Sequence, residues 1–464
     1  MENSDIITAQ QMKSSRLGKK IWFNAIIVGL IGQIAWTVEN MYFATFAQNI
    51  FDDTAKYGNL YYIATTLMVI FSAITATVTT IFAGGLCDKL GKRKPFITIG
   101  YLAWGVTIML FALIPLDFSS SKGGAILAML VIFDCIMTVA GSTANDAAFN
   151  TWVTDVTNAK NRGRLNTVLA LLSVFGMVIT LVIAMFTFDA KNYKLFFIVL
   201  GIIPMAVGIM SIFTMKDAPD IIKNQNPNYL KETFYGFRAK VIKENKMMYV
   251  TLSAFCLIGI SQQVFMSYLI NFVQKTLGID NYLVPLAVII VVSAVLTGVS
   301  GVLFDKFGRK NFFFPLLLLI IFGTFMVYIL KFMPQTAYIP MLYIFGILML
   351  GCMLAMGGAL TSTFQDYIPK GYEGRFQGVR MSFVVLIPMI IGPIISLAIG
   401  INSFDARDAV ATTAPPFEIF LAASIIALLA AIPLYFVRKD STRLREKLIE
   451  FHAEEAPVQE EAAE

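Results

Sequence analysis

Apolar residues occur along this chain in long blocks separated by short polar turns, with no alternation of the kind a half-buried strand would need. Twelve such blocks can be marked, at 21–46, 57–83, 95–115, 124–150, 166–187, 195–215, 249–272, 283–304, 312–330, 339–364, 381–401 and 417–437. Each is about as long as a helix must be to cross the hydrocarbon of a bilayer. Lipid offers the backbone no hydrogen-bond partners, so these blocks are predicted to be helices. The expected fold class is therefore an all-α membrane protein of twelve transmembrane helices.

Composition supports that reading. Of 464 residues, 57% are hydrophobic and 14% charged, where a water-facing domain needs about 25% charged residues. The basic residues also report orientation. With the N-terminus placed inside, the tails and even-numbered loops hold 29 Lys and Arg against 7 in the odd-numbered loops. This is a strong positive-inside bias. It predicts a multi-pass protein of the cell membrane with both termini cytoplasmic, and it accounts for the net charge of +6 without nucleic acid. No Lys or Arg is left inside a span by this count. The basic stretch Lys13, Arg16, Lys19 and Lys20 precedes an apolar run too long for a signal-peptide core, so the first span is expected to be retained.

The longest polar insert, 216–248, divides the chain into a cytoplasmic tail (1–20), a first half (21–215), a central loop, a second half (249–437) and a second tail (438–464). That last tail begins basic and ends in Glu454, Glu455, Glu460, Glu461 and Glu464, and is expected to end in solvent. The four cysteines, Cys87, Cys135, Cys256 and Cys352, have no paired spacing, and the single histidine, His452, lies in the tail. Neither a disulfide framework, a metal site nor a cofactor is expected.

The loops repeat. After the second span the chain reads Gly84-Gly85-Leu86-Cys87-Asp88-Lys89-Leu90-Gly91-Lys92-Arg93, and after the eighth Gly301-Val302-Leu303-Phe304-Asp305-Lys306-Phe307-Gly308-Arg309-Lys310, an offset of 217 residues. After the fourth span comes Asp155 with Arg162-Gly163-Arg164, and after the tenth Asp366 with Glu373-Gly374-Arg375, an offset of 211. Two motifs repeated in order at nearly one spacing indicate duplicated halves. Within each motif the second Gly suits a tight turn, and the Asp can pair with the basic loop of a neighbouring helix, a contact that can form in one conformation and break in another. A gating role is expected for Gly84, Asp88, Gly91, Arg93, Asp155, Arg162, Arg164, Gly301, Asp305, Gly308, Arg309, Asp366 and Arg375. Through these paired motifs the chain resembles the major facilitator superfamily over about 21–437. That resemblance implies two pseudo-symmetric six-helix bundles around a central cavity that opens alternately to either side, with substrate bound near the midplane.

Setting aside Glu418 at the edge of the last span, three acids stand inside spans: Glu39 in the first, and Asp134 and Asp146 in the fourth. An ionisable group at membrane depth is costly and is a functional candidate. None has a basic residue at its own depth, an arrangement that favours proton or cation binding, and the three are assigned to cation coupling. Polar and aromatic residues accompany them. The first span carries Gln33, Trp36 and Asn40 on one face, with Gly29 and Phe43. The fourth carries Asn145, Asp146 and Asn150, with Thr138 and Ser142 close by; the seventh carries Gln263, Ser267 and Asn271, with Tyr268 beside them. Amides, hydroxyls and carboxylates hydrogen-bond solute hydroxyls and aromatic rings stack on sugar faces, so these ten residues are the expected substrate contacts. The same groups are also what glues membrane helices together.

Asn145-Asp146-Ala147-Ala148-Phe149 leading to Arg162, with Leu90-Gly91-Lys92-Arg93-Lys94-Pro95-Phe96, is similar to the glycoside-pentoside-hexuronide cation symporters (the melibiose-permease-like family). The resemblance implies that Asp146 touches both sugar and coupling ion. The sodium users of that family place two Asp residues four apart on the second helix. Here that span holds no acid and instead carries Ser72, Thr75, Thr77, Thr79 and Thr80, a departure that favours proton coupling through Asp146, assisted by Glu39 or Asp134.

The expected function is secondary transport of a small solute, most simply a sugar or glycoside, with a proton or sodium ion. No phosphate-binding loop of the Gly-x-x-x-x-Gly-Lys-Ser/Thr form is present, so ATP is not an expected partner. Two alternatives stay open: proton-coupled export or flipping of an amphipathic drug or lipid, which 23 Met and 39 Phe would suit, and a membrane sugar sensor that moves nothing. Enzyme chemistry would want a nucleophile–base pair or metal ligands at depth, and none is evident.

Overall fold

The structure, a computed structural model, describes residues 17–116, 119–157, 162–187, 193–218, 235–368, 376–405 and 414–440. Every long element among them is helical, and no strand occurs among the described residues. In chain order the principal helices are α1 Lys19–Ile50, α2 Leu60–Leu90, α3 Lys94–Leu110, α4 Gly123–Asp155, α5 Arg162–Thr187, α6 Lys194–Thr214, α7 Lys246–Met266, α8 Leu283–Phe307, α9 Phe313–Ile329, α10 Tyr338–Tyr367, α11 Gly378–Ile401 and α12 Glu418–Asp440. Among the described residues, eleven are long and apolar enough to cross a membrane. The remaining predicted span lies in α5, whose shorter apolar stretch is Leu171–Thr187.

Helix ends follow from the loop motifs. α2 stops at Gly91, whose left-handed φ of 62° lets its N–H reach the Cys87 carbonyl at 2.9 Å. Pro95 then opens α3 in the first turn, where a missing N–H costs nothing. The repeat does the same after α8: Gly308 has φ 79° and its N–H reaches the Phe304 carbonyl at 2.9 Å. Side chains that would resist these turns are excluded by the backbone, which is the physical content of the second Gly of each motif.

Contacts divide the chain into two compact units. The first comprises 1–233, 263–291 and 389–419, and the second 234–262, 292–388 and 420–464. In the first unit, α3 and α6 cross at Gly105 and Gly201, where a Cβ on either residue would run into the carbonyl oxygen of the other. One end of that unit is filled by Phe43, Phe46, Phe111, Phe196 and Phe197, whose ring centroids lie 4.2–6.4 Å apart. In the second unit, Val241 of the short helix Ala239–Glu244 packs with Met248, Leu252, Phe364, Phe376 and Val379 into a small core.

Two features depart from the sequence reading. Three of the spanning helices are not uniform α-helices. π-helical turns interrupt α1 at Val38–Tyr42, α4 at Ser142–Phe149 and α11 at Ser382–Leu386, and a fourth, Phe272–Thr276, continues the chain beyond α7. In addition, Arg380, counted above with the loop before the eleventh span, stands in the helical turn Gln377–Met381 that opens α11. The apolar run was bounded at Met381, but the helix begins a turn earlier.

Candidate functional site

The site is built where α1 loses its regular hydrogen bonding. A π-turn inserts an extra residue per turn and re-aims the side chains that follow; such turns recur at functional sites. Glu39 and Asn40 lie on the π-turn of α1, and Asn145 and Asp146 on that of α4. The re-aiming divides the face predicted for α1. Before the turn, Gln33 packs against Gly176 of α5 and Trp36 lies against Trp104 of α3, ring centroids 4.9 Å apart. On the turn and just after it, Glu39, Asn40 and Phe43 line a cavity together with Thr65, Met68 and Ser72 of α2, Asp134 of α4, Ser267 beyond α7, and Met389 of α11.

Glu39 is the best-connected polar residue there. Its Oε1 accepts a short hydrogen bond from the Ser72 hydroxyl, and a second, at 3.5 Å, from Thr138 Oγ1. Ser72 and Thr138 are themselves 3.1 Å apart, so three side chains from α1, α2 and α4 form one buried cluster. Among the described residues, Glu39 Oε2, Asp134 Oδ1 and Thr65 Oγ1 are buried with no hydrogen-bond partner. Asp134 is 1% exposed and Thr65 2% exposed. No Lys or Arg among the described residues pairs with Glu39 or Asp134. Uncompensated buried oxygens are expensive, so their collection around one cavity makes it the candidate binding site.

The other predicted contacts fall into three groups. Asp146, half-buried, accepts the Ser142 hydroxyl at 3.0 Å, and the exposed Asn150 donates to the Asp146 carbonyl at 3.3 Å. Asn145 is part of a latch: it donates to the Tyr101 hydroxyl at 2.8 Å, Tyr101 donates to the Val28 carbonyl at 2.7 Å, and Gly32 leaves room for the amide. The α7 residues lie in a seam. Gln263 packs on Gly392 of α11, Asn271 donates to the Tyr61 hydroxyl at 2.8 Å, and the Tyr268 ring lies 5.9 Å from those of both Tyr61 and Tyr62. Lys275 pairs with Asp52 at the same end. Glu39, Asn40, Asp134 and Ser267 thus share one cavity. Gln33, Trp36, Asn145, Gln263, Tyr268 and Asn271 are engaged in contacts between helices.

Sequence reasoning missed Ser72, Tyr61 and Tyr101 as hydrogen-bond partners of these groups, and Thr65 as a wall of the cavity. A serine and a threonine on an acid-free span are a weak signal, because either can satisfy itself on its own helix.

The loop motifs form contacts within each unit. Arg93 Nε donates to Asp155 Oδ2 at 2.9 Å, and Asp217, just after α6, accepts the backbone N–H groups of Arg93 and Lys94 at 2.9 and 2.8 Å. In the second unit, Arg309 pairs with Asp366. Gly84 and Gly301 have no neighbouring atom within 4 Å of a would-be Cβ, so no close approach occurs at either. Arg375 and the side chains of Asp88, Arg162, Arg164 and Asp305 lie outside the described residues.

Residues 21–393 match the family profile of the Major Facilitator Superfamily. No curated protein matches the sequence. Among solved structures, the chain is similar to a D-xylose-proton symporter at 16% identity, with a TM-score of 0.69 over 89% of this chain and 97% of that one. It is also similar to a nucleoside transporter (12% identity, TM-score 0.67, 89% and 99% covered). A third likeness is to a bacterial homologue of the human lysosomal transporter Spinster in an inward-facing, unoccupied conformation (13% identity, TM-score 0.65, 91% and 98% covered). At these identities the likeness is one of fold.

Proposed function

From the premise that the chain belongs to the Major Facilitator Superfamily, we propose that it is a secondary transporter that moves a sugar or glycoside together with a proton or sodium ion by alternating access, in a cell membrane, with both termini cytoplasmic. The observation that carries the reading is the pair of buried acids, Glu39 and Asp134, unbalanced by any basic partner among the described residues, on the cavity that Asn40 and Ser267 also line. A solute-coupled ion needs such a charge, and a polyol needs amides and hydroxyls beside it. Asp146 and Asn150, less buried on the same helix, supply further acceptors and donors for solute hydroxyls. The paired loop motifs, with Arg93 on Asp155 and Arg309 on Asp366, are contacts that rearrange as the protein cycles.

The same cavity has apolar walls in Phe43, Met68, Val69 and Met389, which supports a second reading, movement of an amphipathic solute. Uptake of labelled mono- and disaccharides into proteoliposomes, under separately imposed proton and sodium gradients, tests the first. Gradient-driven accumulation of a sugar, lost in Asp146→Asn, is the expected result. Absence of uptake for every sugar under both gradients, with folded protein, favours the second reading.

A further inference from the structure

The oxygen atoms around Glu39 are more specific than a generic coupling charge requires. Threonine hydroxyls inside helices usually donate to a carbonyl one turn back, and several here do: Thr37 to Gln33, Thr77 to Ala73 and Thr151 to Ala147, at 2.6–2.8 Å. Thr65 does not. Its Oγ1 is buried without a hydrogen-bond partner among the described residues, on the cavity that Glu39, Asp134 and Ser72 line. Glu39 spends one carboxylate oxygen on Ser72 and Thr138 and leaves the other unpartnered; Asp134 Oδ1 is unpartnered too.

No hydrogen bond joins the two acids to each other among the described residues. A proton shared directly between carboxyls would draw their oxygens to about 2.5–2.7 Å. Each acid instead keeps one buried oxygen without a hydrogen-bond partner among the described residues, and both residues line the cavity, so a cation bound beside them would satisfy both. The donors are two carboxylates and two hydroxyls, all hard oxygen and all uncharged or negative. Such a set suits an alkali or alkaline-earth ion and offers nothing to a soft metal. Calcium takes 6–8 oxygens, whereas Glu39 Oε2, Asp134 Oδ1 and the Thr65 and Ser72 hydroxyls make four.

We propose that Glu39 and Asp134, with the hydroxyls of Thr65 and Ser72, hold one sodium ion among α1, α2 and α4. As the coupling ion it rests on the transport reading above; as a bound ion it does not. Asp146 is the further carboxylate in the electrostatic surroundings of Glu39 and is left free to meet the solute. This assigns to α1 and α2 the oxygen ligands that the acid-free second span seemed to lack.

Purified full-length protein in detergent, titrated with sodium chloride against choline chloride at constant ionic strength, tests the site directly through ²²Na⁺ binding and thermal unfolding. Saturable binding of about one ion, with a matching rise in Tm, is expected. Thr65→Val and Ser72→Ala should each weaken sodium affinity by about tenfold or more, and Glu39→Gln should abolish the response. If Glu39→Gln does not fold, the two hydroxyl variants decide. Absence of ²²Na⁺ binding to the wild-type protein overturns the proposal, as does stabilisation by calcium or magnesium in place of sodium, or by acid alone. Sugar uptake driven by a proton gradient without sodium overturns the site's coupling role and leaves the transport reading standing. Sodium binding with no solute flux supports the site and counts against that reading.

Discussion

Arg93 reaches from the loop after α2 to Asp155 at the end of α4, with its side chain only 4% exposed and that of its partner 22% exposed. The second copy of the motif makes the corresponding contact, Arg309 to Asp366, at 33% and 52% exposure. The duplicated halves therefore repeat one tether in two environments, and environment decides what an ion pair is worth. Exposed pairs contribute about 0–1 kcal/mol, whereas breaking a buried one costs about 3–5 kcal/mol because a charge is left stranded.

Asp155→Asn is accordingly expected to lower stability by about 2–4 kcal/mol, within the span set by those two limits. Arg93→Gln, which removes the more deeply buried charge of the pair, should cost less. Thermal unfolding in detergent measures both, and equal losses would contradict the argument.

Asp366 should behave in the opposite way. Burial holds its carboxyl above the usual carboxylate range, and the Arg309 guanidinium beside it only partly offsets that. An acid whose folded value is raised contributes stability that is present below its unfolded value and lost as pH rises through the folded one. Asp366→Asn is expected to flatten that part of the pH profile and to be near neutral at pH 7. Stability curves from pH 4 to 8 for the two proteins check it; a loss as large as that for Asp155→Asn would refute it.

The crossing of α3 and α6 depends on two glycines. Gly201→Val places methyl groups against the Gly105 carbonyl and Met109, and overpacking of this kind costs about 1–3 kcal/mol. A lower yield of monodisperse protein and a fall in Tm are expected. Gly84→Val, where nothing stands within 4 Å, should show neither.

The seam between Tyr61 and Asn271 makes a fourth case. Tyr61→Phe deletes the hydroxyl that accepts the Asn271 amide at 2.8 Å and leaves a buried donor unsatisfied, at a cost of about 1–3 kcal/mol. Asn271→Leu, which removes the donor as well, should restore part of that loss in the Tyr61→Phe background. A double-mutant cycle on Tm reads the coupling, and strict additivity would show that the bond contributes nothing.

Much of this fold was legible in the chain. Apolar block length located the spans to within a few residues, because the hydrocarbon imposes one length on every crossing helix. The loop motifs indicated that an Asp would meet a basic loop, and Arg93 with Asp155 is such a contact. Arg380 escaped because hydropathy sees the edge of a greasy run, not the first turn of the helix that contains it. The candidate site was half visible. Glu39, Asn40, Asp134 and Ser267 were marked as polar residues at depth, and they do line one cavity. Ser72 was not marked as a partner of Glu39, nor Thr65 as a wall of the cavity, since a hydroxyl in a helix carries no sign of whether it serves its own backbone or a neighbour. The π-turn at Val38–Tyr42 was invisible as well. A helical wheel drawn at constant pitch placed Gln33 and Asn40 on one face, and the extra residue in that turn parts them.

The tilted pair Trp36 and Trp104 carries a practical consequence. The chain's four tryptophans, Trp22, Trp36, Trp104 and Trp152, all fall within its first third, and all belong to the first compact unit. Indole emission from the whole protein is therefore a voice from that unit alone. Trp36 sits one helical turn before Asn40, so a solute or ion arriving at the Glu39 cavity is positioned to change that light without any label. Rearrangements confined to the second unit would leave it dark, and a single engineered indole there would give the silent part of the molecule its own signal.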